Sequence, residues 1–185
     1  PHTDHCPGYG SVIKYNAATV MEVGMDIGSM ATDAGACLVL EVMGRSAGWI
    51  AAGTVLAKRT PQDPPHIILM PEIPINKESF LQKVREVTAA LGYCVVVVGE
   101  GLRDKEGNLL SADKSVVDAF GHPVLAGMGD YVVGLVKEEL KLKSRSAKLG
   151  YAQRAAVHFA SATDMAEAAA CGEAAVRAAI QGQSG

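Results

Sequence analysis

The stretch Cys37-Leu-Val-Leu-Glu-Val-Met-Gly-Arg-Ser-Ala-Gly-Trp-Ile-Ala51 decides how this chain is read. Its first six residues are apolar enough for a strand covered on both faces, which places Met43-Gly44-Arg45 at the carboxyl end of that strand. A helix-like segment opens immediately afterwards, from Ser46. In open parallel α/β sheets, ligands collect just outside the carboxyl ends of the strands. Gly44 lets the backbone approach a ligand closely, and Arg45 offers a planar fork of donors to phosphate or carboxylate. The combination points to a phosphorylated small molecule.

Working outward, Pro7-Gly8-Tyr9-Gly10 is loop-like, and Ile13, Ala17, Val20, Met21 and Met25 then recur at helical spacing. That pattern predicts a first helix of about five turns. Ser46 to Ala57 reads as a helix packed closely on the sheet through its small residues, and Lys58 to Pro65 as a surface connection. His66 to Met70 is a short buried strand. Asn76 is placed to cap a helix whose apolar stripe is Phe80, Val84, Val87 and Leu91, and Tyr93 to Val98 is the next strand. This β-α-β-α-β rhythm implies an α/β fold, a three-layer α/β/α sandwich with a mainly parallel sheet and right-handed crossovers.

Gly99 to Gly121 interrupts the rhythm with a polar excursion around Asp104 to Asn108, read as a turn or small hairpin leaving a strand end. Val124 to Leu140 reads as helical despite three glycines, Lys143 to Gly150 as a final strand, and the alanine-rich segment from Ser161 to near Gly182 as a helix. Trp49 is expected in helix-to-sheet packing, Met21, Met25 and Met30 in or near the core, and the alanine-rich helix in internal packing.

With 185 residues, 49% hydrophobic and 20% charged, the composition is that of a soluble globular chain able to bury a substantial core, and its scattered cysteines point to the cytoplasm. No apolar run reaches the roughly 18 residues that read as a membrane span. A formal net charge of -3 argues against a nucleic-acid partner, which would bring a basic excess. Cys6, Cys37, Cys94 and Cys171 are scattered and read as reduced thiols. His2, Asp4, His5 and Cys6 lack the second ligand pair of a closed zinc site and read as an ordered turn. Asp104, Glu106 and Asn108 open like a calcium loop, but Leu109 and Ser115 stand where that loop needs glycine and glutamate. No metal is assigned to either.

Polar residues follow three of the strands: Met43-Gly44-Arg45, Gly99-Glu100-Gly101, and Tyr151-Ala-Gln153-Arg154. They converge if those strands are neighbours. Glu100 follows four valines and one glycine, so its carboxylate would stand at the sheet edge, where it can accept sugar hydroxyls. Arg154 and Tyr151 could supply charged and neutral donors to a phosphate or an anomeric oxygen.

In this order, V-M-G-R-x-x-G-W-I-A, V-V-V-x-E-G and L-G-Y-x-Q-R resemble the 6-phosphofructokinase family over essentially the whole chain. The opening H-T-D-H-C-P-G-Y-G-S-V is similar to the segment that follows the family's catalytic T-x-D-N-D motif in bacterial pyrophosphate-dependent members. The resemblance implies a Rossmann-like domain in which Met43 and Gly44 touch fructose 6-phosphate and Arg45 lies near the transferring phosphoryl group. It implies that Glu100 binds sugar hydroxyls, that Tyr151 meets the 6-phosphate, and that Gln153 and Arg154 belong to the same substrate site. Arg145 matches an arginine that reaches the 6-phosphate from a neighbouring subunit, which implies a homo-oligomer. Two departures stand out: Tyr151 replaces a histidine of ATP-dependent members, and Ala36 occupies the place of another phosphate-binding arginine.

By the same resemblance, residues 1–185 form the sugar-phosphate-binding domain of a larger two-domain enzyme. The donor-binding domain, most of the Mg2+ site and the general-base aspartate, expected upstream of Pro1, would lie elsewhere. The implied reaction is phosphoryl transfer from pyrophosphate to the 1-hydroxyl of fructose 6-phosphate. The alternatives are an ATP-dependent 6-phosphofructokinase and a non-catalytic sugar-phosphate-binding regulatory subunit.

Overall fold

Val95, Val96, Val97 and Val98 are each fully buried, and they show why the middle of this chain forms a sheet sealed on both sides. Consecutive residues of a strand point to opposite faces, so four buried valines in a row need a cover on each face. Each such side chain contributes about 1.5 kcal/mol or more of transfer free energy, against which the ordering of the chain is set.

The computed structural model describes residues 6–32, 34–110, 112–117, 123–125 and 127–183. The chain divides into two compact units, Asn16–Gly150 and the combination of Pro1–Tyr15 with Tyr151–Gly185. In the larger unit, β1 (Ala36–Val42), β2 (Ile67–Leu69), β3 (Tyr93–Gly99) and β6 (Lys143–Lys148) make one sheet in the order β2-β3-β1-β6. Every pairing in it is parallel. Val42 stands opposite Gly99 and Glu41 opposite Lys148, so β1, β3 and β6 finish at one edge.

Two layers cover this sheet. On one face α3 (Lys77–Leu91) and α4 (Met128–Leu140) bring Phe80, Val84, Met128, Val132 and Val136 against Cys37, Val39, Cys94, Val96 and Val98. On the other, Ala17 and Val20 of α1 (Tyr9–Ser29), with Ala51 of α2 (Trp49–Gly53), pack on Leu40, Val42 and Val97. The expected three-layer α/β arrangement is therefore present in this unit. The Asn76 side chain accepts the Ser79 N–H at 3.1 Å and starts α3 as anticipated. Arg103 bridges to Leu109 around the Asp104 to Asn108 turn, and β4 (Ala112–Val117) pairs antiparallel with β5 (Pro123–Leu125).

Several expectations are corrected. The segment Ser46 to Ala57 is helical only from Trp49, and its last four residues tighten into a 3-10 turn. The reason is local: Gly44 adopts φ +134° and residues 44–48 form a loop. Val124 to Leu140 is not one helix, because Gly127, with ψ 112°, breaks the helical path and α4 begins at Met128. Trp49 is 71% exposed rather than packed on the sheet, and Met25 and Met30 are exposed while Met21 alone of the three packs on the core. The ordered turn expected over His2 to Cys6 lies, but for Cys6, outside the described residues. Cys37 and Cys94 are buried free thiols, and Cys6 and Cys171 are exposed free thiols.

The smaller unit contains the start of α1, α5 (Ala152–Ala155), a 3-10 turn at Val157–Phe159 and α6 (Ala162–Ile180). Its helix starts are fastened to each other. The Asp164 carboxylate accepts the Ser11 N–H and hydroxyl, both at 2.6 Å, while the Ser161 N–H donates to Ser11 Oγ at 2.9 Å. The Ser161 side chain in turn caps α6 by accepting the Asp164 N–H. The internal packing expected of α6 is not seen, since it has no buried residue. No helix among the described residues is long and apolar enough to cross a membrane.

Candidate ligand site at the strand ends

Beyond the paired ends of β1 and β3, two loops cross backbone to backbone. A Cβ on Gly101 would lie 1.6 Å from the Arg45 carbonyl oxygen, and one on Gly44 would lie 2.5 Å from the Ala47 carbonyl oxygen. Only hydrogen fits at either place: the glycine at 101 lets Met43-Gly44-Arg45 lie directly on Gly99-Glu100-Gly101, and the one at 44 lets its own loop fold back on Ala47. The Gly44 N–H then donates to Glu100 Oε1 at 3.3 Å, which joins the two loops across the strand ends.

The structure thus brings Met43, Gly44, Arg45 and Glu100 into one wall. Arg45 is exposed, and Met43, Gly44 and Glu100 are half-buried, so the wall faces solvent with both signs of charge and a polar backbone. A second carboxylate braces its far side, for Glu72 Oε1 accepts the Gly48 N–H at 2.7 Å.

Below the wall lies a feature that reading along the chain missed. Among the described residues Glu41 alone is both charged and buried, at 4% exposure. Its Oε1 meets the Lys148 ammonium at 2.8 Å, and its Oε2 accepts the Gly129 N–H at 2.8 Å from the first turn of α4. Burying a lone carboxylate is costly, and these partners offset that cost. The hydrogen bond to Glu41 is the main cause that raises the Lys148 pKa above its ordinary value; burial opposes it, and the charges of Glu41, Glu100 and Asp130 add to it. Asp130 also accepts the Ser146 hydroxyl. The signal in the sequence was an acidic residue inside an otherwise apolar strand.

Arg145 sits elsewhere. It pairs in register with Leu38, four residues before Val42, which at about 3.3 Å per residue leaves it roughly 13 Å short of the strand ends. There it lines a cleft of about 100 Å³ with Lys143, Asp26, Ile27, Met30 and Leu38. Tyr151, Gln153 and Arg154 belong to the smaller unit. Gln153 is buried, Tyr151 is 75% exposed, and the Arg154 guanidinium lies over the Tyr151 ring at 5.1 Å in a cation–π arrangement.

The family model described as phosphofructokinase matches residues 1–179. A pyrophosphate–fructose 6-phosphate 1-phosphotransferase of Halomonas elongata is 46% identical over 184 residues, 100% of this chain and 44% of the relative. The enzyme of the same name from Xanthomonas campestris is 42% identical over 182 residues, 98% of this chain and 44% of its own length. The crystal structure of a pyrophosphate-dependent phosphofructokinase from Marinobacter aquaeolei superposes with a TM-score of 0.79 at 43% identity, covering 99% of this chain and 42% of that one. The chain therefore spans less than half the length of these relatives.

Proposed function

The chain belongs to the phosphofructokinase family, and from this we propose that it supplies the fructose 6-phosphate-binding part of a pyrophosphate-dependent phosphotransferase. The observation that carries the reading is the 46% identity over the whole chain to a relative named for that reaction. The crossing of the Gly44 and Glu100 loops at the strand ends supports it chemically, because it forms a rigid wall where α/β sheets collect ligands.

In this reading the 1-hydroxyl oxygen of fructose 6-phosphate attacks a phosphorus of pyrophosphate in line. The new O–P bond forms as the bridging P–O bond breaks, phosphate leaves, and the hydroxyl proton passes to a general base, the role that the resemblance gives to an aspartate of the T-x-D-N-D motif. The protein's part is positioning and charge stabilisation rather than covalent chemistry. Glu100 accepts sugar hydroxyls, Met43 and Gly44 bound the sugar, and Arg45 offers its guanidinium to the developing charge on the transferring phosphoryl group. The family resemblance gives Tyr151, Gln153 and Arg154 substrate-binding roles of their own. Arg145, remote from the wall within its own chain, reaches a site of a second subunit, which makes the enzyme a homo-oligomer.

The donor brings Mg2+, which offsets phosphate charge when bound. Such an ion is commonly held by one or two carboxylates together with the substrate phosphates, and among the described residues there is no group of three or more His, Cys, Asp or Glu side chains that could hold a metal ion.

A coupled assay of the intact protein with fructose 6-phosphate and either pyrophosphate or ATP tests the reading. Turnover with pyrophosphate is expected. Turnover with ATP alone overturns the donor, and sugar-phosphate binding without turnover on either donor identifies a regulatory subunit instead.

A further inference from the structure

We propose that Lys148 is a further sugar-binding residue of this site, donating to a hydroxyl oxygen beside the one whose proton Glu100 accepts, and that buried Glu41 is the positioning residue that holds it there. The proposal deepens the sugar-phosphate reading above and rests on it.

The placement follows from the sheet. β3 and β6 flank β1 on opposite sides, with Gly99 opposite Val42 and Lys148 opposite Glu41. Glu100, the next residue after β3, and Lys148, the last of β6, therefore stand at one edge, separated by the width of β1. Two inter-strand spacings and a stagger of two residues put their backbones roughly 12 Å apart, a gap that long side chains on either side narrow to the width of a sugar. Lys148 is 54% exposed in its side chain, whereas Glu41 beneath it is sealed.

One donor of the ammonium goes to Glu41 at 2.8 Å, and an ammonium carries three. Lysine is otherwise a flexible point charge, and a buried carboxylate that also accepts the Gly129 N–H gives it one fixed seat. The local charge balance selects the ligand atom. Lys148 is surrounded by Glu41, Glu100 and Asp130, whose charges all act on it. Such surroundings disfavour a doubly charged phosphate and suit a neutral hydroxyl. An acceptor carboxylate and a donor ammonium side by side match two neighbouring hydroxyls, each of which both donates and accepts.

The test is calorimetric titration of the intact protein, wild type and Lys148→Met, with fructose 6-phosphate, its 3-deoxy and 4-deoxy analogues, and pyrophosphate. In the wild type, loss of the hydroxyl that meets Lys148 is expected to weaken binding about tenfold. Lys148→Met should weaken fructose 6-phosphate at least fivefold, leave pyrophosphate within twofold, and shrink that hydroxyl penalty to within twofold. Lys148→Met leaves Glu41 buried without its counter-charge, so the double variant Glu41→Gln/Lys148→Met, which removes both charges, carries the same expectation should the single variant not fold. Fructose 6-phosphate binding within fivefold of wild type, an undiminished penalty for both hydroxyls, or an equal loss of pyrophosphate overturns the assignment. Wild type that binds fructose 6-phosphate while the variants bind it equally well overturns the lysine alone. Wild type that does not bind it overturns the sugar-phosphate reading as well.

Discussion

The carbonyl oxygen of Arg45 occupies the space in which a side chain on residue 101 would begin, 1.6 Å from the position of its Cβ. No rotamer change relieves a clash between two backbones, so one of the loops has to move. Gly101→Ala is expected to cost about 2–3 kcal/mol of stability, in the range of overpacked sites. It should also weaken fructose 6-phosphate binding at least tenfold, because Arg45 and Glu100 shift relative to each other. Denaturant unfolding and calorimetry measure the two effects, and native affinity in Gly101→Ala would show that the loop crossing is not part of the site.

Glu100→Gln separates the charge of the wall from its shape. Glutamine keeps an oxygen for the Gly44 N–H, so the melting temperature should stay within about 2 °C of the parent. If Glu100 is the sugar's charged acceptor, as proposed, fructose 6-phosphate affinity should fall about tenfold, roughly 1.4 kcal/mol. Arg45→Ala should act on kcat, lowering it by about a hundredfold, roughly 2.7 kcal/mol, if the guanidinium meets charge that develops only in the transition state. An effect of Arg45→Ala confined to KM would move the residue from phosphoryl transfer to ground-state binding.

His66 makes stability depend on pH near neutrality. Its Nδ1 accepts the Val95 N–H at 2.8 Å, and its Nε2 faces the Gln62 carbonyl at 3.0 Å, so the neutral ring with the proton on Nε2 fits the site. Burial, the largest cause, holds its pKa below the ordinary value of 6.5. The unfolded chain thus takes up the proton first as pH falls. Stability from this group is complete above about pH 6.5 and is lost as pH drops through the folded-state pKa. Thermal unfolding between pH 7.5 and 5 should show a falling Tm that His66→Asn flattens, and parallel profiles for the two proteins would remove His66 as the cause.

Asp164 governs the smaller unit in the acid range. Its hydrogen bond from the Ser11 hydroxyl, followed by the backbone N–H of Gly8, holds its carboxyl below the usual range. A depressed folded-state pKa stabilises above the unfolded value of about 3.9 and ceases to do so as pH falls through the folded value. Ser11→Ala is expected to lower stability by about 1 kcal/mol at pH 7 and by less at pH 3, read from urea unfolding at both pH values. A loss that is the same at pH 3 would place the effect outside this carboxylate.

Much of this fold was legible one segment at a time. The bounds of β1, the Asn76 cap of α3, the Ser161 start of α6 and the hairpin-like turn at Asp104 all follow from side-chain periodicity, capping and turn chemistry, which act over a few residues. Met43-Gly44-Arg45 and Glu100 could be marked for the same reason, since each directly follows an apolar strand. Where local signals conflicted the reading failed, as at Gly127, which separates β5 from α4, and at Trp49, whose apolar ring is left exposed.

Tertiary structure alone decided that β1 stands between β3 and β6, that Gly101 lies on the Arg45 carbonyl, and that Glu41 finds Lys148 and the Gly129 N–H. Glu41 and Gly129 are 88 positions apart, and nothing in the residues around either one specifies the other. Strand order and the partner of a buried charge are set by which distant surfaces fill each other's space and satisfy each other's polar groups. That is a property of the packed molecule, whereas the run from Cys37 to Arg45 carried in its own side chains the strand, its end and the place where a ligand would be met.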